Sequence, residues 1–147
     1  MGVVSSLGDT PEKIMDSFRN EKVSFARPAF DDDIVISPIR HFFLKDYIGR
    51  FKNARYLIRG AQLGVAASAV AVKEADLEEG MTVGCGLFVG TGPNMDISGE
   101  FPDYAKGKLD TDNLNALWML RFLPNTMAST IAQLTGTHGE NGTITTA

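Results

Sequence analysis

The sequence predicts an α/β fold, and two stretches carry that prediction. Residues 53–75, NARYLIRGAQLGVAASAVAVKEA, read as a helix rich in Ala with few charges in its middle. Small side chains let a helix approach its neighbours closely, so this one is expected to lie buried against a sheet. The run at 81–89, MTVGCGLFV, follows it and hardly alternates, the pattern of a strand covered on both faces in a parallel sheet. The second stretch closes the chain. A helix at 125–134 puts Met127, Ile131 and Leu134 on one face, a turn-rich GTHGENG follows, and the β-branched run Thr143-Ile144-Thr145-Thr146 then leads to Ala147.

Taken in order, the chain opens with a Gly-rich turn and a first helix. Asp9 or Thr10 suits its N-cap, Pro11 its first position, and Glu12 the positive end of its dipole. Ile14, Met15 and Phe18 follow at helical spacing. Residues 23–52 are irregular. The run Asp31-Asp32-Asp33 reads as a solvated loop, because three adjacent carboxylates diverge and a Ca²⁺ loop wants alternating ligands around a Gly turn. Arg40-His41-Phe42-Phe43 reads as packing under a loop. In the long helix each Gly costs about 1 kcal/mol relative to Ala, which packing must offset. An acidic connection at 76–80 leads into the strand, which ends in Gly90-Thr91-Gly92-Pro93. A G-x-G after a strand is found in dinucleotide loops, but Pro93 and Asn94 interrupt it and no third Gly follows in place. Residues 96–113 are polar and turn-rich, and 113–122 are apolar, helical or extended, with Trp118 and Phe122 turned inward.

Composition narrows the function classes. The chain has 147 residues, 44% hydrophobic and 22% charged, as in a soluble globular protein. A net charge of −4 disfavours nucleic acid as a partner. No apolar window is long enough for a membrane span, and the N-terminus lacks the basic and long apolar regions of a signal peptide. Gly2 and Ser6 fit the loose N-myristoylation pattern, which the resemblance below explains better. The single cysteine, Cys85, excludes an internal disulfide framework and a multi-Cys zinc site; it is expected to be a small buried hydrophobe within the strand. No cofactor or metal is expected, and cysteine usage suits the cytoplasm.

Three motifs together resemble the β-ketoacyl-[acyl-carrier-protein] synthases, condensing enzymes of the thiolase-like superfamily. GVVSSLG at 2–8 resembles the family's opening G-x-G-x-[VL]-[ST]-P-x-G, with Ser6 where Pro is usual. Gly90-Thr91-Gly92 matches its G-[ST]-G after a long strand. Pro124-Asn125, Gly136-Thr137-His138-Gly139 and Thr146-Ala147 match the approach to the active-site cysteine. The resemblance is tight at 2–8, 84–92 and 124–147 and loose between.

This resemblance implies part of a layered αβαβα thiolase-like fold, incomplete at both ends. The chain would be the N-terminal portion of a ketosynthase domain rather than an independent domain. It implies decarboxylative Claisen condensation of an acyl thioester with malonyl-ACP, in fatty-acid or polyketide biosynthesis. The nucleophilic Cys is expected immediately after Ala147, with catalytic histidines further on, so no catalytic residue is expected within the chain. Thr91, Pro93, Phe122 and Met127 are the implied substrate-binding residues. Pro93 falls at the far end of the acyl pocket. Phe122 falls where an aromatic reaches toward the partner subunit's acyl tunnel, or is a plain core aromatic. Thr126, Ser129 and Thr130 either donate near the reaction centre or pack. His138 sits where the family commonly has a basic residue, and reads as a structural or surface residue.

The implied partners are a complementary segment or chain carrying Cys and two His, an acyl carrier protein, and a second copy of the complete unit. The chain then is a cleaved product, a piece of a longer protein, or a truncated subunit. The alternative function is a non-catalytic, chain-length-factor type subunit that shapes a partner's pocket. A nucleotide-binding domain is a distant third.

Overall fold

The computed structural model describes residues 1–22, 24–28, 31–78, 80–92 and 118–145. Helix α1 spans Pro11–Arg19, α2 Lys45–Ile48, α3 Arg59–Glu74 and α4 Thr126–Thr135. Strand β1 is Leu87–Thr91 and β2 is Asn141–Thr145. Short 3-10 turns at Lys52–Tyr56 and Trp118–Arg121 lie against each other.

Thr10 caps α1, its hydroxyl accepting from the Lys13 N–H at 3.3 Å, and Pro11 stands in the first turn. Of the apolar side chains at helical spacing Ile14 is half-buried, while Met15 and Phe18 are both at least half exposed. Polar contacts hold it instead. Ser17, buried, donates to the Leu7 carbonyl at 2.7 Å, and Lys13 pairs with Asp9 at 2.6 Å. Tyr47 of α2 reaches back to the other Asp9 oxygen at 2.8 Å, tying α2 to the N-terminal turn.

The irregular stretch is ordered by local bonds. Ala26 and Ile36 form an isolated antiparallel bridge, and the Asp33 N–H donates to the Asp31 carboxylate at 2.9 Å, which closes the acidic loop on itself. Of the cluster expected to pack under a loop only Phe42 is buried, with the Arg59 guanidinium 4.6 Å above its ring, whereas Arg40, His41 and Phe43 are exposed. Arg59 also donates to the Phe42 and Ile39 carbonyls at 3.2 and 2.9 Å.

The long helix departs from expectation in two ways. It starts at Arg59, because Leu57 and Ile58 are extended and separate it from the 3-10 turn. It also packs chiefly on α4 and α2 rather than on the sheet. Its small residues allow a close approach: Ala61 and Ala66, with Val65, share one core with Met127, Ala128 and Ile131 of α4. Gly2 uses the same property from the other side, since any side chain there would run into the α3 backbone at Ala67 and Ala71. Leu57, Ile58, Phe42, Leu44 and Val89 complete that core.

β1 and β2 are parallel neighbours, paired Leu87 with Asn141 through Thr91 with Thr145. Helix α4 packs against both strands, as well as against α3. The expected strand at 81–89 is therefore displaced. Residues 80–84 form turns, with Val83 N–H bonded to Gly80 O and Cys85 N–H to Thr82 O, and the strand begins at Leu87. Gly80, at φ +87°, starts that turn in the left-handed region which glycine tolerates best. The closing strand begins two residues earlier than expected, at Asn141, and includes Thr143-Ile144-Thr145; Thr146 and Ala147 lie outside the described residues.

Candidate functional site

The best-built region joins the end of α4, the turn after it, and the two strands. Gly136 ends α4 in the left-handed conformation, its N–H and that of Thr137 both returning to the Ala132 carbonyl. Thr82 donates its hydroxyl to the Thr135 carbonyl, and the Thr135 and Thr137 hydroxyls are 2.7 Å apart. The turn then zips onto the segment before β1. The N–H groups of His138 and Gly139 donate to the Val83 and Cys85 carbonyls, and Leu87 N–H donates to Glu140 O at 2.7 Å. Gly139 is pressed so closely on the Cys85 carbonyl that no side chain fits there. This seam fixes the register in which Gly90 and Thr91 run beside Ile144 and Thr145.

Alternation in the strands separates two faces. Leu87, Val89 and Thr91 share one face, and Val89 packs in the core with Met127. Phe88 and Ile144 stand on the other, 66% and 62% exposed, with Phe88 lying over Gly142.

The four residues assigned to the acyl pocket take different positions. Thr91 is half-buried at the end of β1, its hydroxyl 3.2 Å from the Gly92 carbonyl. Met127, 7% exposed, fills the contact between α3 and α4. Phe122 is half-buried just after the second 3-10 turn, its N–H bonded to Met119 O at 3.1 Å. Pro93 lies outside the described residues, as do the loop at 96–113 and the apolar stretch to 117. Thr91 and Met127 thus converge on the same strand–helix layer, whereas Phe122 belongs to the turn beside Lys52–Tyr56.

The hydroxyls left open between donation and packing bond to backbone carbonyls of α4 and the turn before it, Thr130 buried and Ser129 exposed. Thr126 donates to Leu120 O at 2.8 Å, and Ser129 and Thr130 to Thr126 O at 3.1 and 2.8 Å. His138 is exposed and engaged through its backbone, in keeping with a structural residue. Cys85 corrects its expectation. It is exposed, its thiol 3.4 Å from the Met81 carbonyl, because the turn at 80–84 takes it out of the strand. Nothing in the residue pattern signals the seam between 83–87 and 138–140, which is a backbone relationship.

Two titrations are shifted near α2. The Lys13 ammonium bonded to Asp9 holds that carboxyl below the usual range against its partial burial, and Tyr47 adds to the effect. Burial pushes the Tyr47 phenol up to about 12, reinforced by the Asp9 charge it donates to. Among the described residues no group of three His, Cys, Asp or Glu is placed to hold a metal ion, and no helix is long and apolar enough to cross a membrane.

The mixed helix and strand fold is shared with two solved structures of ketosynthase type. The ishigamide ketosynthase/chain length factor superposes with a TM-score of 0.75 over 99% of this chain and 38% of that one, at 21% identity. A β-ketoacyl synthase from Burkholderia phymatum STM815 superposes at 0.69 over 96% of this chain and 36% of that one, at 17% identity. The chain therefore spans little more than a third of either solved protein and presents part of the fold. No family model matches the chain, and no curated protein sequence does.

Proposed function

We propose that the chain is the N-terminal portion of a ketosynthase-like acyltransferase, a piece of one domain rather than a domain by itself. The observation that carries this reading is the superposition of nearly the whole chain on a ketosynthase/chain length factor. The seam that aligns Gly90 and Thr91 of the GTG motif with Ile144 and Thr145, in the segment that leads to Thr146-Ala147, supports it. In this reading the unit works in the cytoplasm as a dimer and condenses an acyl thioester with malonyl-ACP. Thr91, Pro93, Phe122 and Met127 contribute to the acyl pocket and its surroundings. A complementary segment or chain supplies a nucleophilic Cys and two histidines. The exposed Phe88 and Ile144 support such a companion, since large apolar side chains on an open sheet face are ordinarily covered.

The chemistry asked of the companion is an activated thiolate at a helix N-terminus and an oxyanion hole. The second reading is a non-catalytic subunit of the chain-length-factor type, favoured by the same superposition because the solved protein combines both roles in its name. The test is a condensation assay on the chain with its companion, using acyl and malonyl thioesters of an acyl carrier protein. Loss of new 3-oxoacyl product when the companion's cysteine is replaced supports the enzyme. Product formed only with a further cysteine-bearing subunit supports the shaping role. No condensation product in either arrangement overturns both.

A further inference from the structure

No further inference is drawn: the strongest candidate, the apolar face of the β1–β2 sheet where Phe88 and Ile144 stand exposed, belongs to the companion surface already described, and nothing in the structure shows what else covers it.

Discussion

The thioether sulfur of Met127 occupies the space that a side chain on Gly64 would need, so α3 and α4 meet through a glycine and a flexible methionine. This contact accounts for a glycine in the middle of a helix. Gly64→Ala gains about 1 kcal/mol of helix propensity and loses more by crowding Met127, for a net cost of about 1 kcal/mol. In a Met127→Ala background, itself costing about 2–5 kcal/mol, the same substitution becomes stabilising. Denaturant unfolding of the four variants measures the coupling; simple additivity would refute the contact.

Asp9 and Tyr47, bonded to each other, make stability depend on pH at both extremes. The Asp9 carboxyl titrates lower folded than unfolded, so its contribution is complete above the ordinary carboxylate range and is lost as pH falls through the folded value. The Tyr47 phenol titrates higher folded, so its contribution is complete below about pH 10 and is lost as pH rises toward about 12. Tyr47→Phe is expected to cost about 1 kcal/mol at neutral pH and to flatten the alkaline limb of a stability-against-pH curve. An unchanged alkaline limb would show that Tyr47 is not the group responsible.

Gly139→Ala tests the seam. The obstructing atoms belong to the Cys85 backbone, which has no rotamer to give way, so the cost should reach about 3 kcal/mol. Amide hydrogen exchange in β2 should accelerate together with that of Leu87, whose N–H donates to Glu140 O. Faster exchange confined to α1 would count against the assignment.

Cys85 should react with a thiol reagent in the folded protein at a rate near that of the denatured chain. Cys85→Ser should change stability by no more than about 0.5 kcal/mol. Protection of the thiol until unfolding would restore the buried reading.

What could be read from the sequence was local. Thr10 and Pro11 announce α1, the apolar spacing of Met127 and Ile131 announces α4, and the β-branched Thr143 and Ile144 announce β2. Features decided by distant partners were less legible. An apolar run looks alike in a turn and in a strand, so 81–89 concealed the turn that the 138–140 backbone stabilises. A small-residue helix fits a sheet or another helix equally well, and only the position of α4 decides. Of the candidate site, Thr91 falls at a strand end as its motif implies. Met127 has the same chemistry in a core as in an acyl pocket, and its packing on Gly64 is visible only in three dimensions.

The parallel pairing of Leu87 with Asn141 also governs the order of assembly. A parallel pair has no tight hairpin to nucleate it, so closure must wait for the intervening chain and for α4. During synthesis β1 emerges well before its neighbour, with Phe88 and an unpaired edge open to other chains. The interval between making the first strand and making the second therefore leaves a strand edge that other chains can pair with, and a chaperone that shields apolar segments would act there.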